Sequence, residues 1–283
     1  MSEIKHSFSQ DDMQSFLPTA KVGLIATINE DGLPHITMIT SIQAANPKVL
    51  LVGEFFRGRS KKHIRNNHKI AFLVMSMSRN LWRGNATWTH AMKNGPEYEL
   101  MNQIPMFRYN TYFGIETVHY FDLEGFKGPD ALPMGQFILE VLKSKMIRNR
   151  FKTNNQEQIL QPFVVDIINQ LMSFTFLSYI KSDGYPELIP ILQCQASDSR
   201  RLVFSKGMYQ EDLKQIPDGA KVAVFTMNLN MESILIRGIY HSENSSVVGK
   251  VASVDIDWVY NSMPPALGQL YPAVEMQAIS DFH

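Results

Sequence analysis

Short apolar runs separated by polar turns follow one another along the chain, and this pattern predicts mainly strands. Residues 22–28 form an apolar run of strand length and composition, and a short helix is predicted before it at 10–17. The Asp31-Gly32 turn favours a hairpin, because glycine supplies the positive φ that such turns need. Further strands are predicted at 34–42, 49–55, 70–75, 81–88 and 116–123.

The same order of elements occurs a second time. A shift that carries Asp31 to Asp183 aligns the two copies without a gap from residue 22 to residue 75, and it lays 69–75 on the equally apolar run 221–227. A two-residue adjustment then aligns Arg83-Gly84 with Arg237-Gly238. Agreement in both hydrophobic pattern and turn chemistry indicates a tandem duplication. The second copy has its own predicted helix at 162–172 and last strand at 251–259.

Five or six antiparallel strands and one or two short helices in each copy are typical of a small Greek-key barrel. We therefore expect a mainly β chain with a first domain at 1–130 and a second at 162–283. A predicted helix at 134–145 and a polar linker at 148–161 lie between them.

An insertion at 91–114 distinguishes the first copy from the second. It opens with the helix start Gly95-Pro96-Glu97 and ends in an aromatic run at 107–113. The insertion either packs as a lid over the mouth of the barrel or forms the wall of a ligand pocket.

The composition narrows the classes of function. Basic and acidic residues number 27 each, so the formal net charge of zero favours neither a nucleic-acid nor a membrane partner. The polar start of the chain and the lack of a long apolar run lead us to expect a soluble, cytoplasmic protein. Cys194 lies in an apolar stretch and is expected in the core. The eight histidines show no spacing that favours a metal site.

A basic segment after the third predicted strand is chemically unusual. Arg57, Arg59, Lys61 and Lys62 surround Ser60, which is predicted to cap the helix that follows. Helix N-termini disfavour cations, but cations combined with free backbone N–H groups and a hydroxyl form phosphate sites. The segment is therefore either a phosphate site or a solvated basic turn.

The second copy serves as an internal control for this segment. Tyr209, Glu211 and Asp212 stand where the first copy has Arg57, Arg59 and Ser60. Because the acids suit a helix N-terminus, the fold itself does not require cations here. This difference favours the phosphate interpretation.

Several segments of the first copy resemble the pyridoxamine-5′-phosphate-oxidase-like split barrels that bind FMN. LIATINEDGLPH at 24–35 is similar to the first hairpin of that family, RSKKHIRNN at 59–67 to its phosphate loop, and LWRGNA at 81–86 to its fifth strand. GPEYE at 95–99 is similar to a segment of the small bacterial FMN-binding proteins in the family. The resemblance spans 10–125 and reaches 162–260 only through the repeat.

This resemblance implies a fold and a cofactor. Members fold as six-stranded split barrels that pair two-fold, and FMN lies in the cleft between paired barrels. The resemblance implies that Arg59 and Ser60 hold the phosphate, with Lys61 and Lys62 as alternates. Three residues leaving the second strand would border the flavin ring, largely through backbone groups. These residues are Met38, Ile39 and Thr40. Many members have a polar residue at the position of Met38 or Ile39, so apolar ring contacts are expected there.

Duplication and resemblance together suggest an intrachain pseudo-dimer with one competent FMN site, since Glu211 and Asp212 replace the cations in the second copy. We expect an FMN-dependent oxidoreductase acting on a small molecule. The alternatives are a flavin-binding, storage or electron-transfer protein without its own substrate, and a cofactor-free interaction barrel. Beyond the internal pair, a homodimer is left open. Candidate substrate-side groups are His90, Arg108, Tyr109, Tyr112 and His119, and no catalytic residue is assigned.

Overall fold

The computed structural model describes residues 3–55, 59–104, 114–153, 157–245, 247–261 and 268–273, with Arg59 described by its backbone. Contacts within the chain divide it into two compact units. The first unit is Met1–Met134 together with Ser178–Ile189, and the second is Gly135–Leu177 together with Pro190–His283. The domain boundaries set by the sequence stay a prediction.

The described residues of the first copy form seven strands and three helices. The elements predicted at 10–17, 22–28, 49–55 and 70–75 are confirmed with small changes in their ends, and the strands predicted at 81–88 and 116–123 are longer than expected. Helix α1 begins with a capping box, in which the Ser9 hydroxyl accepts the Asp12 N–H and the Asp12 carboxylate accepts the Ser9 N–H. The elements are α1 (Gln10–Phe16), β1 (Lys21–Ile28), β2 (Pro34–Met38), β3 (Ile42–Asn46), β4 (Val49–Glu54), α2 (Arg59–Asn66), β5 (Lys69–Ser76), β6 (Asn80–Met92), α3 (Pro96–Gln103) and β7 (Thr117–Ala131).

The single strand predicted at 34–42 is wrong, because the structure breaks it into β2 and β3. The break lies over Gly23, where an added Cβ would meet the Ile39 carbonyl oxygen at 2.1 Å. The Ile39 N–H donates to the Gly23 carbonyl at 2.7 Å, which fixes the turn.

The break also closes the sheet. The strand order is β2-β1-β5-β6-β7-β4-β3, so the two edges of the sheet are consecutive in the chain. Only residues 39–41 join them, and a residue spans at most ~3.5 Å. The sheet must therefore curl until its edges approach, which makes a six-stranded barrel split at its second strand.

Large apolar side chains fill the interior of this barrel. The Trp82 indole N–H is buried there and donates to the Asp12 carboxylate at 2.7 Å, which ties α1 to the barrel. The core consists of Phe8, Phe16, Ile25, Ile42, Leu50, Val52, Ile64, Ile70, Phe72, Val74, Trp82, Ala86, Phe121 and Phe126.

The insertion of the first copy begins as predicted. Pro96 starts α3 and Gly95 precedes it with a φ of 101°. Met101 of α3 packs with Leu51 and Val118, on the face of β4 and β7 opposite the barrel core. The aromatic run at 107–113 lies outside the described residues.

The second copy repeats the same topology. Its sheet order is β10-β11-β14-β13-β12-β8-β9. Read from the β9 edge, this is the first order with each strand replaced by its counterpart, which confirms the duplication. Strand β15 pairs with β14. The elements are α4 (Met134–Arg148), a 3₁₀ turn (Asn149–Phe151), α5 (Pro162–Asn169), β8 (Phe174–Ile180), β9 (Pro186–Pro190), β10 (Gln195–Ala196), β11 (Arg201–Ser205), α6 (Gln210–Leu213), β12 (Lys221–Met227), β13 (Ser233–Ser245), β14 (Gly249–Asn261) and β15 (Gly268–Tyr271).

The strand register shows that the two-residue adjustment, which aligned Arg83-Gly84 with Arg237-Gly238, does not correspond to an insertion in the second copy. The β5–β6 ladder pairs Lys69 with Thr87, and the β12–β13 ladder pairs Lys221 with Ile239, which is the same pairing after the original shift. The two Arg-Gly pairs instead share a packing role. An added Cβ at Gly84 or Gly238 would lie 2.2 or 2.1 Å from a carbonyl oxygen of the neighbouring strand, β7 or β14.

Two smaller expectations concern the lone cysteine and membrane-spanning segments. Cys194 is buried, as predicted, and burial raises the pKa of its thiol. None of the helices within the described ranges is long and apolar enough to cross a bilayer.

Candidate functional site

A cavity of about 250 Å³ opens in the first unit where the β2–β3 turn, the end of β4 and the start of α2 meet. The turn contributes Met38, Ile39 and Thr40 to its wall, and α2 contributes Ser60 and Lys61. Two segments that the sequence analysis selected for different reasons therefore line one cavity.

The remaining predicted site residues lie elsewhere or are not described. Lys62 lines a neighbouring cavity; its side chain is 70% exposed and its ammonium lies 2.6 Å from the Glu30 carboxylate. Arg59 begins α2, whereas Arg57 lies outside the described residues. The prediction that Ser60 caps the helix is wrong, because α2 already begins at Arg59 and Ser60 lies in its first turn.

The Ser60 hydroxyl is held close to the cavity by β2. Its Oγ lies 2.5 Å from Oγ1 of Thr37, and Ser60 is buried. Both hydroxyls line the cavity. The first turn of a helix leaves backbone N–H groups without helical partners, so hydroxyl and N–H donors meet at this wall.

A charged network that the sequence does not reveal also lines this cavity. Glu54, at the end of β4, pairs with the Lys61 ammonium and lies 2.5 Å from Nε2 of His119 on β7. The Trp88 indole N–H lies 3.1 Å from Nδ1 of His119. Since an indole only donates, Nδ1 accepts and Nε2 carries the proton that His119 donates to Glu54.

Burial governs the protonation of this network. It lowers the pKa of His119 to about 4, with the nearby charges of Lys61 and Arg65 acting in the same direction, so the ring is neutral at neutral pH. Burial also lowers the pKa of Lys61 to about 8, and the charge of Glu116 opposes this shift. A pKa of about 8 leaves the Lys61 ammonium mostly protonated at neutral pH.

The predicted substrate-side groups do not all come together. His119 lines the cavity, whereas His90 lies on the exposed part of β6 and stacks on Tyr120 with ring centroids 4.3 Å apart. The other three candidates, Arg108, Tyr109 and Tyr112, lie outside the described residues.

A second cavity of about 330 Å³ lies beside the first. Lys62, Arg65 and Asn66 of α2 line it, together with Lys93 and Thr117. Glu116 completes its wall, and Glu54 and Lys61 line both cavities. In the described part of the chain, no group of three or more histidine, cysteine or acidic side chains is arranged to hold a metal ion.

The second copy lacks the charged network. The repeat places Lys206 at the position of Glu54 and Leu213 at the position of Lys61. Val52 pairs with His119, and its counterpart Phe204 pairs with Ala252, so alanine stands in place of the histidine. Lys206 is buried and donates to the Ser242 hydroxyl at 3.0 Å.

Comparisons with known proteins gave matches among solved structures. No family model matches the chain, and no curated protein matches its sequence. The chain resembles pyridoxamine-5′-phosphate-oxidase-like split barrels. An FMN-binding protein from Syntrophomonas wolfei matches at 11% identity and a TM-score of 0.36, over 42% of this chain and 84% of its own.

Two further solved structures are similar to the chain over comparable lengths. HupZ from Group A Streptococcus is 19% identical with a TM-score of 0.36, over 44% of this chain and 97% of its own. A candidate pyridoxamine 5′-phosphate oxidase from Lactobacillus delbrueckii is 18% identical with a TM-score of 0.34, over 44% and 96%. Each match spans less than half of this chain.

Proposed function

We propose that the chain binds one flavin nucleotide, FMN, in the 250 Å³ cavity of the first repeat and acts as an oxidoreductase on a small molecule. One observation carries the proposal. The β2–β3 turn, predicted to border a flavin ring, and the start of α2, predicted to hold a phosphate, line the same cavity.

The donors at the cavity suit a phosphate. Ser60 supplies a hydroxyl beside the first turn of α2, where backbone N–H groups favour an anion. Lys61 supplies a cation, and its contact with Glu54 means that the two side chains together add no net charge. Arg59 and Arg57 are the predicted source of the remaining positive charge.

Apolar side chains and the size of the cavity define how a flavin would fit. Met38 and Ile39 line the cavity and would offer an apolar wall to a ring. A cavity of 250 Å³ is smaller than the roughly 300–1,000 Å³ of sites that enclose a drug-sized ligand. It would therefore enclose part of the nucleotide and leave the rest outside.

FMN supplies hydride and electron transfer when it is bound. The residues of the chain contribute orientation and a defined proton. His119 carries a proton on Nε2, Trp88 fixes that tautomer, and Glu54 accepts the hydrogen bond. His119 and Glu54 thus hold a proton in a hydrogen bond at the wall of the cavity, which fixes the orientation of both side chains.

The test is the visible spectrum of the purified protein and the mass of whatever denaturation releases. We expect a flavin spectrum and FMN as the released compound. Ser60→Ala should weaken FMN binding by about tenfold, because it removes a charged-acceptor hydrogen bond. The matched control is Asp212→Ala in the second repeat, which should bind FMN like the wild type.

Two results would contradict the proposal. A protein that stays colourless after incubation with FMN has no such site. Equal loss of FMN in both variants would place the effect outside the cavity. Reoxidation of the reduced flavin by oxygen and by candidate acceptors, followed by stopped flow, then separates an oxidoreductase from a flavin-storage protein.

A further inference from the structure

We infer that the 330 Å³ cavity is a second anion site, which binds a small dianion such as a phosphate ester or a dicarboxylate. The inference goes beyond the proposed flavin site and does not depend on it. Lys62, Arg65 and Asn66 project from α2 into this cavity, and Lys93 faces it from the segment between β6 and α3.

The charges that line the cavity favour an anion. Four cations, Lys61, Lys62, Arg65 and Lys93, stand against the two acids Glu54 and Glu116, so the lining carries a formal charge of +2. A cavity wall with excess charge of one sign raises the local concentration of the opposite ion.

The ion pairs made by the lining residues show which cation is most available to bind an anion. Lys61 pairs with Glu54, and the Lys93 ammonium lies 2.8 Å from Glu116. Lys62 pairs with Glu30, which is not part of the lining. Arg65 makes no such ion pair with any residue in the ranges that the structure describes. Its planar guanidinium can bind a carboxylate or phosphate through two parallel hydrogen bonds.

Neutral donors complete the recognition. The Thr117 hydroxyl and the Asn66 amide line the cavity, although one Asn66 N–H donates to Glu30 at 3.1 Å. A dianion seated between Arg65 and Lys93 would balance the formal charge of the lining. This is the reason for assigning a ligand with two charges.

The second repeat shows that the fold does not require these cations. Pro217 stands at the position of Arg65, Asp218 at that of Asn66, and Leu213 at that of Lys61. Only the position of Lys62 has a cation in the second repeat as well. This residue is Lys214, and its ammonium lies 2.5 Å from the Glu211 carboxylate. The second repeat therefore keeps one of the three α2 cations that line the cavity in the first repeat.

Calorimetric titration tests the inference. Inorganic pyrophosphate and succinate are titrated separately into the full chain after saturation with FMN, at ~20 mM salt to limit screening. We expect saturable binding of one anion per chain, and the tighter of the two probes identifies the ligand as phosphate-like or dicarboxylate-like. Arg65→Gln should weaken binding by about tenfold. Lys93→Gln should weaken it less, because Glu116 already takes part of the Lys93 charge.

Controls separate this site from the flavin site and from general surface charge. Lys214→Gln, in the second repeat, should leave the affinity unchanged, and all variants should unfold at the wild-type temperature. Heat that never saturates, equal affinity in Arg65→Gln, or release of FMN by pyrophosphate would each overturn the inference. If the chain binds no flavin but keeps anion binding that depends on Arg65, the flavin proposal fails and this one stands.

Discussion

The two repeats can be compared position by position, because their sheets share one strand order and their β5–β6 and β12–β13 ladders share one register. At the end of β4 the first repeat has Glu54, paired with Lys61 and His119. At the matching positions the second repeat has Lys206, and two apolar residues, Leu213 and Ala252, in place of the partners. The barrel is formed in both cases.

This difference shows what the fold needs and what it does not. Burying charged groups costs free energy that their mutual attraction recovers only in part. A barrel that can be built with Leu213 and Ala252 gains little stability from a buried Lys61–Glu54–His119 network. The network is therefore better explained by the proposed ligand site than by the needs of the fold.

The largest expected effect comes from placing in the first repeat the acidic residue that the second repeat has at the same position. Arg59→Glu copies Glu211 and places a negative charge at the start of α2, where the phosphate is proposed to bind. We expect the bound flavin to fall from about one per chain to near zero, while the far-ultraviolet circular dichroism stays unchanged. Full occupancy in this variant would refute the placement of the phosphate.

Removing one member of the buried network should destabilise the first repeat. Glu54→Ala leaves the Lys61 ammonium without its carboxylate partner, which should lower the free energy of unfolding by about 3 kcal/mol. The matched control replaces both residues with leucine, as Leu213 does in the second repeat, and should recover most of the loss. Urea denaturation measures both, and equal destabilisation of the two variants would argue against a charge effect.

Lowering the pH should reduce the stability of the first repeat, because His119 is buried in its neutral form. Burial lowers its pKa to about 4 from 6.5, so the unfolded chain takes up the proton first and stability falls as the pH drops from about 6.5 towards 4. At ~1.4 kcal/mol per pH unit, the loss approaches roughly 3 kcal/mol. His119→Ala, which copies Ala252, should remove this part of the pH dependence. A wild-type profile that matches the variant would mean that His119 titrates normally.

The smallest expected effect is a change in stability at a position where both repeats have the same residue. Gly32 and Gly184 occupy the matching hairpin turns with φ of 72° and 80°. Alanine at either position should cost about 1 kcal/mol, because an L side chain is strained at positive φ. Gly184→Ala should cost slightly more, since its Cβ would lie 3.0 Å from the Lys69 ammonium. If thermal unfolding shows a larger loss of stability for Gly32→Ala than for Gly184→Ala, the two turns are not equivalent.

Local chemistry and repetition in the sequence predicted most of the fold. The helix at 10–17, the helix start at Pro96 and the duplicated strand order are all confirmed. The break at 39–41 was missed because the sequence there continues as a strand would. It is caused by a close contact with Gly23, which is distant in the sequence.

The candidate site was only partly predictable for a similar reason. Glu54 and His119 lie on different strands, and no spacing in the sequence brings them together. Lys61 and Lys62 were predicted as alternates for one phosphate, but consecutive helix residues point about 100° apart. Lys61 accordingly lines both cavities, whereas Lys62 lines only the cavity of about 330 Å³.

The number of flavins per chain tests the central claim most directly. The purified protein is saturated with FMN, freed of excess ligand and denatured, and the released flavin is divided by the protein concentration. A first repeat with a competent site and a second repeat without one predict a ratio near one. A ratio near two would give the second repeat a site despite Glu211 and Asp212, and a ratio near zero would remove the flavin from the account.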